Sequence, residues 1–150
     1  MAKRQKSPRK SPRSAARSAT SPCAPGVCDP ERTQGTKAPA PPGTHVLVTL
    51  RGPGVFLAAA VTKQGGSNDL TFVSLDIDGR NVTSLSFAAA ANLGLTQHNA
   101  YGVALVQSVV KTFTIGFPTP LVYRKSLELS VKVDEANVVQ VVGNVIHGTA

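Results

Sequence analysis

Apolar and polar residues alternate along much of the chain after residue 43, in the pattern typical of β-strands. The clearest case is residues 127–133, where Leu, Leu, Val and Val occupy one face and Glu, Ser and Lys the other. Because successive side chains of a strand point to opposite faces, this segment is predicted to be an antiparallel strand with one face in water.

Seven further segments are rich in β-branched and apolar residues, are bounded by turn residues and are predicted to be strands. They are residues 45–51, 55–62, 70–77, 81–87, 101–110, 111–117 and 138–146. Asp78-Gly79 is the strongest short hairpin signal that a sequence offers, and it separates two of these segments. The alanine-rich segment from Phe87 to Asn92 is the only helix candidate.

These segments amount to about eight strands separated by turns at short intervals. Helical crossovers between them are absent, and parallel strands require such crossovers. We therefore predict an all-β fold, an antiparallel β-sandwich with a jelly-roll topology as the favoured arrangement.

Residues 1–42 lack what a folded domain needs. Pro, Ser, Ala and Arg dominate this segment, and it contains no aromatic residue. Such a composition cannot bury enough apolar surface to offset the entropy of ordering the chain. We predict a disordered basic arm and linker over residues 1–42, followed by one sandwich domain over residues 43–150.

Positive charge is concentrated in this arm. Residues 1–42 contain nine Lys or Arg against two acids, a net charge of +7, whereas residues 43–150 contain seven against six, a net charge of +1. Prolines and arginines continue past residue 30, so a secretory signal is not expected, and no later stretch has the length of a membrane span. The sequence thus predicts a near-neutral domain carrying a basic arm.

Seven cations in the arm are candidate nucleic-acid contacts, because together they can displace counterions from a polyanion. They are Lys3, Arg4, Lys6, Arg9, Lys10, Arg13 and Arg17. If all seven met phosphates of duplex DNA, the logarithmic salt dependence of binding would have a slope of about −6. Without interleaved aromatic residues, neither base stacking nor sequence readout is expected. The alternatives are a nuclear-targeting signal and a tail that improves solubility.

Residues 7–14, SPRKSPRS, contain two Ser-Pro-Arg units in tandem. Units of this kind resemble the tails of linker-type histones and sperm chromatin proteins, which lie along DNA. The resemblance covers residues 7–14 alone, and the second unit ends in Ser14 where the pattern has a base. Ser7 and Ser11 are candidate phosphorylation sites, since two phosphates would remove more than half of the charge of these cations.

The spacing of the two cysteines, Cys23 and Cys28, would suit a zinc pair, but a structural zinc site needs four ligands, and no Cys or His cluster supplies the other two. Two reduced thiols are the favoured interpretation, and an intermolecular disulfide in an oligomer is the alternative. No metal site is expected elsewhere. Residues 76–81 resemble the start of a calcium loop but lack its later acidic ligands, and a hairpin accounts for them.

An enzyme is not expected. The histidines are His45, His98 and His147, and no nucleophile or carboxylate accompanies the one in the loop Gln97-His98-Asn99. No catalytic motif and no glycine-rich phosphate-binding loop occur, so no cofactor is expected either. Asn81-Val82-Thr83 forms a glycosylation sequon that we attribute to chance.

Two segments are candidate interaction surfaces. Residues 116–125 contain two prolines, two aromatics and two cations, and form either an exposed contact loop or, as favoured, the link between the two sheets. Residues 138–146 carry few charges, so this strand is predicted to lie in the centre of a sheet or in a subunit interface. A homo-oligomer is therefore expected.

The sequence favours a non-enzymatic structural or assembly protein, a self-associating sandwich whose arm binds DNA or RNA without sequence readout. Small viral capsid proteins have this plan, and a chromatin-associated protein would share it, so a virion or the nucleus is favoured over secretion. The alternative is a binding module that recognises a glycan or a protein through its loops, with the arm serving targeting or solubility.

Overall fold

The structure is a computed structural model that describes residues 23–24, 26–107 and 110–149. Strands dominate these residues, and one short helix, α1 (Phe87–Asn92), joins two of them. The strands are β1 (Cys23–Ala24), β2 (Val27–Lys37), β3 (Gly43–Arg51), β4 (Gly54–Gly65), β5 (Thr71–Ile77), β6 (Arg80–Ser86), β7 (Val103–Val106), β8 (Lys111–Tyr123), β9 (Ser126–Val133) and β10 (Val138–Thr149).

Two antiparallel sheets pack face to face. One has the strand order β1-β2-β10-β4-β8-β7 and the other the order β3-β9-β5-β6. Consecutive strands mostly alternate between the sheets, so the chain winds around a shared core as in a jelly roll. The predicted antiparallel β-sandwich is thus confirmed, and its strands follow a jelly-roll order.

The predicted strands after residue 43 correspond to β3–β6 and β7–β10, and the predicted helix is α1. Two bounds differ. β7 covers only four residues of the predicted 101–110, and β8 continues through Pro118 and Pro120 to Tyr123. The prolines fall where the register between β8 and β4 shifts, and a bulge tolerates proline because the ladder hydrogen bonds are interrupted there.

Residues 27–37, predicted to belong to the disordered arm, instead form β2. Every pair from Glu31 to Lys37 lies in register with β10, while most of the β2 side chains are exposed. A strand at this position needs backbone donors and acceptors from its neighbour and little apolar surface of its own. The folded domain therefore begins before residue 43, and an argument from apolar content alone missed this.

The prediction of two reduced thiols is wrong for Cys28, which is disulfide-bonded, and no described cysteine is free. The physical reason is the hairpin of β1 and β2, which turns at Gly26 with φ +83°. This hairpin sets the backbone of Cys23 directly opposite Cys28. Residues paired in this way across two strands lie within the Cα separation that a disulfide requires.

The core lies between the sheets and is built mainly from Val, Leu and Ile, with three buried phenylalanines. Phe87, the first residue of α1, meets the Phe113 ring edge-on at a centroid distance of 5.7 Å. The Ser86 hydroxyl accepts a hydrogen bond from Ala89 N and caps the helix, which places Phe87 and Ala90 in the core.

The predicted hairpin at Asp78-Gly79 is confirmed. Both residues have positive φ, +53° and +77°, as a type I′ turn requires. The Asp78 carboxylate accepts hydrogen bonds from the backbone N–H groups of Arg124, Lys125 and Ser126, and these bonds hold its pKa below the usual value. The carboxylate thus fastens the β5–β6 turn to the β8–β9 turn.

β10 lies between β2 and β4 in the six-stranded sheet and is paired on both sides. Of the two positions predicted for this strand, the central one is the position it occupies. Its low charge therefore gives no support to a subunit interface, and the expected oligomer has to rest on another surface.

The two sheets approach each other closely at Gly35, and a substitution there can test this packing. A Cβ at this position would overlap the backbone carbonyl oxygen of Leu47 in β3, whereas a Cβ at Gly116 would meet nothing within 4 Å. We expect Gly35→Ala to lower the free energy of unfolding by about 3 kcal/mol, because the backbone of β3 must move. Gly116→Ala is the matched control and should change it by less than about 0.5 kcal/mol in urea denaturation. Equal midpoints for the two variants would contradict the packing described.

Candidate functional site

The predicted nucleic-acid contacts of the arm lie outside the described residues. This applies to all seven cations and to both candidate phosphorylation sites: Lys3, Arg4, Lys6, Ser7, Arg9, Lys10, Ser11, Arg13 and Arg17. Their roles stay predictions, and the site has to be sought on the folded domain.

The outer face of the six-stranded sheet is the most unusual surface of that domain. Residues that are paired in register share a face, so the rows can be traced across the sheet. Ala60 pairs with Asn144 on one side and with Thr114 on the other. We call this surface the neutral face; it consists of Gln34, Thr36, Ala58, Ala60, Thr62, Ala104, Val106, Thr112, Thr114, Gly116, Val142, Asn144 and Ile146.

Among the residues in register on this face, the one that carries a charge is Arg32, which lies at its margin and pairs with Ile146. The outer face of the four-stranded sheet differs, since Glu128 pairs there with Asp76, and Lys132 lies 5.8 Å from the centre of the Phe72 ring. One face of the sandwich is therefore typical of a sheet in water, and the other resembles the core of a protein interface, where charged residues are depleted.

A concave pocket of about 450 Å³ lies over the neutral face. Small residues such as Ala58, Ala60 and Gly116 form its floor, and the segment 98–102 forms a wall. His98 contributes to this wall, so the histidine noted in the sequence does face a cavity. Its neighbours in the lining are mainly small and uncharged, with Arg32 the one charged side chain among them.

Asn99 fixes the wall. Its Nδ2 donates to the carbonyl oxygens of Gln97 and Val103, and its Oδ1 accepts from Tyr101 N. The backbone of Gly102 accepts a hydrogen bond of 2.7 Å from Gly116 N, which ties the segment to β8. The wall is therefore a shaped loop whose backbone groups are held by the sheet beneath it.

Asn144 supplies the polar feature of the floor. Its Oδ1 is buried and, among the described residues, accepts no hydrogen bond. A buried acceptor without a donor costs about 1–3 kcal/mol. A ligand group that donates a hydrogen bond to this oxygen would therefore bind more favourably than the same hydrogen bond would allow in water, because it also removes the cost of the unpaired acceptor.

A buried ion-pair network closes the opposite end of the sandwich from β1. Lys63 of β4 is 1% exposed at its side chain, and its Nζ lies 2.6 Å from Glu135 Oε1 and 2.7 Å from Asp69 Oδ1. Lys111 of β8 also contacts Asp69. The Phe87 ring centre is 5.3 Å from Lys63 Nζ. The network joins the two sheets through the loops that precede β5 and β10.

Glu135 is held by further donors. The Thr71 hydroxyl donates to Oε1 over 2.6 Å, and the backbone N–H groups of Asn68 and Asp69 donate to Oε2. Burial opposes the ionisation of Glu135, but the hydrogen bonds from Lys63, Thr71 and Asn68 outweigh it and bring its pKa below the usual value. For Asp69, burial is likewise outweighed by Lys111 and Lys63, and its pKa is also lowered.

Sequence reasoning missed Lys63, Glu135 and Asn144. The signal for Lys63 was present, because it continues the inward positions of Ala59 and Val61 along β4, and a lysine at such a position needs a carboxylate. No comparable signal existed for Asn144, whose surroundings depend on which strands are neighbours. Residues 116–125 form the end of β8 and the turn Arg124-Lys125, which leads to β9 in the other sheet. The favoured interpretation of this segment, a link between the two sheets, is therefore confirmed.

Among the residues that the structure covers, no group of three or more His, Cys, Asp or Glu is arranged to hold a metal ion. None of the helices in the same part of the chain is long and apolar enough to span a membrane.

Lys63→Met tests the network. The change leaves the Glu135 charge buried without its cation, and we expect it to lower the free energy of unfolding at neutral pH by about 3–5 kcal/mol. Lys132→Met, which removes an exposed pair with Asp134, is the control and should cost at most about 1 kcal/mol. Chemical denaturation measures both.

The pH dependence of this loss identifies its cause. A carboxylate with a lowered pKa stabilises the fold above its unfolded value of 4.5 for Glu135, and that stability is lost as the pH falls through the folded pKa. Protonated Glu135 needs no cation, so the difference between Lys63→Met and the unaltered chain should shrink as the pH falls below 4.5. A difference independent of pH would assign the loss to packing alone.

A comparison with models of protein families finds no match for this chain, and a comparison with curated proteins finds none either.

Proposed function

We propose that this chain is a non-enzymatic assembly protein that self-associates through its jelly roll and binds nucleic acid through its basic arm. The observation that supports the proposal is that most of the positive charge lies in the arm, apart from the outer face of the six-stranded sheet. The neutral face has one charged residue, Arg32 at its margin, while residues 1–42 hold +7 of the chain's +8. In this proposal the face contacts other copies of the chain, and the arm contacts the polyanion.

The neutral face supports self-association because its composition differs from that of a sheet face exposed to water. An antiparallel sheet with one solvated face usually alternates apolar and charged residues, as the four-stranded sheet does. A broad uncharged surface of small side chains lets two sheets or a sheet and a loop approach closely without desolvating a charge. β2 and β7 limit the surface at its two edges.

The arm supports nucleic-acid binding through its charge density and through what it lacks. Seven cations within 17 residues favour a polymer of phosphates, and no aromatic residue is present to read bases. The plan of a basic arm followed by a jelly roll is shared with small viral capsid proteins, so we propose a virion or the nucleus as its place of action.

The arm's role predicts a steep salt dependence of binding. We expect the full chain to bind a short mixed-sequence duplex DNA and a single-stranded RNA, with a logarithmic salt slope for the duplex of about −6 from the arm. Replacing the arm's seven cations by Gln should remove that part of the slope in fluorescence anisotropy titrations. The control variant permutes residues 2–17 and keeps their composition; it should bind as the unaltered chain does, and a loss of binding there would indicate sequence readout.

The role of the neutral face predicts that a charge at its centre prevents self-association. Ala60→Glu and Thr114→Lys introduce opposite charges there, and both should shift the sedimentation coefficient of the full chain to that of a monomer, because each buries an unpaired charge between copies. Ser74→Glu, in the middle of the other sheet, is the matched control and should leave association unchanged. A full chain that is monomeric at all concentrations would remove this half of the proposal.

The second candidate function is a binding module, and the pocket favours it. Asn144 Oδ1 is an unused hydrogen-bond acceptor that lies beneath a shaped wall. A binding site for a neutral ligand with hydroxyl groups, such as a glycan, would have the same features. Saturable glycan binding by a monomer, weakened by Asn144→Leu, would favour this function over assembly.

A further inference from the structure

Four exposed cations gather at one end of the sandwich. Arg51 is the last residue of β3, Arg80 is the first residue of β6, and Arg124 and Lys125 form the turn between β8 and β9. All four are exposed. We call this group the basic end.

Backbone contacts bring these turns together. Arg51 pairs with Ser126, which follows Lys125, and Gly52 N donates to the Lys125 carbonyl over 2.7 Å. Arg80 pairs with Ile77 across the hairpin whose Asp78 carboxylate binds the β8–β9 turn. The four side chains therefore project from one continuous surface.

The cations of the basic end have no carboxylate partner in the part of the chain that the structure describes. The lysines that do form ion pairs there are Lys63, Lys111 and Lys132, and all three lie at the other end of the sandwich. Asp78 is the one acid within the group, and its carboxylate is turned to three backbone N–H groups. The four cations and Asp78 alone sum to +3, and two further acids, Asp29 and Glu31 at the start of β2, line one pocket with Arg51.

Among the described residues, none of the neighbouring acids forms an ion pair with these four cations. Asp76 accepts a hydrogen bond from Asn81, and Glu31 lies 3.4 Å from His147 on the six-stranded sheet. Unpaired arginines present a planar fork of donors that fits phosphate oxygens, and three of the four cations are arginines. This end of the domain is therefore suited to a phosphate backbone.

The arm joins the domain at this same end. β2 begins there, with Cys28 opposite Thr149, and Gly54, which starts β4, pairs with Tyr123 next to the basic turn. Arg17 precedes Cys23 by six residues, a length that spans at most about 20 Å when extended. Of the arm's cations, Arg17 is thus tethered within this distance of β1.

We infer that the basic end binds the phosphate backbone of the same nucleic acid that the arm binds. The inference rests on the proposed function and adds a second, folded contact to it. Cations spread over an extended arm and continued on a rigid surface match a linear polyanion. With eleven cations engaged, the salt slope on duplex DNA would approach about −10, compared with about −6 for the arm alone.

The test compares two double variants of the full chain that remove the same charge. Arg124→Gln with Lys125→Gln alters the basic end and keeps the backbone N–H groups that hold Asp78. Lys37→Gln with Lys132→Gln removes two cations from the opposite end. Binding to a mixed-sequence duplex is measured by fluorescence anisotropy over a range of salt concentrations.

We expect the Arg124/Lys125 variant to show a salt slope shallower by about 2 and an affinity lower by at least roughly tenfold at low salt. The Lys37/Lys132 variant should keep the slope of the unaltered chain. Equal slopes for all three proteins would overturn the inference and leave the arm acting alone, with the proposed function intact. Equal losses in both variants would overturn it as well, since net charge would then suffice.

Two further outcomes separate this inference from the proposed function. If the unaltered chain binds no duplex or RNA even at low salt, the proposed function fails first. Vesicles of phosphatidylserine and phosphatidylcholine serve as the competing polyanion. If they bind the chain more tightly than the duplex and lose this binding in the Arg124/Lys125 variant, the basic end is a lipid site and its assignment to nucleic acid is wrong.

Discussion

The buried contact between the Lys63 ammonium and the Glu135 carboxylate is the interaction on which the charge distribution of this domain depends. Two charges removed from water are tolerable only when each is fully satisfied, and Glu135 achieves this with donors from Lys63, Thr71 and two backbone groups. Asp69 then engages both Lys63 and Lys111. The acids of that end, Asp69 and Glu135, thus form the ion pairs that close the sandwich.

The other end of the sandwich and the face between the two ends differ from this. Among the described residues, the cations at the basic end form no ion pair with a carboxylate, and the Asp78 carboxylate joins two turns through backbone hydrogen bonds. The neutral face between the two ends carries no charge except for Arg32 at its margin. The domain thus presents three unlike surfaces, one closed by ion pairs, one nearly uncharged and one with exposed cations beside the arm, and each suits a different contact in an assembly.

Local sequence signals predicted most of the strands, because alternation at 127–133 and the Asp78-Gly79 turn are properties of neighbouring residues. They did not predict β2, because its side chains are mostly polar and its strand conformation depends on backbone pairing with β10. The neutral face was equally hidden, since Ala60, Thr114 and Asn144 become neighbours only through the jelly-roll order. Lys63 was readable as an inward residue, but its partner Glu135 lies 72 residues away.

The central claim is that the nucleic acid contacts the arm and the end of the domain to which the arm is joined. The most direct test is chemical acetylation of the full chain's lysines with and without a bound duplex, read out by peptide mass spectrometry. We expect protection of Lys3, Lys6, Lys10 and Lys125, with Lys37 and Lys132 as reactive in the complex as in the free chain. Protection of Lys37 and Lys132 with Lys125 left reactive would contradict the central claim.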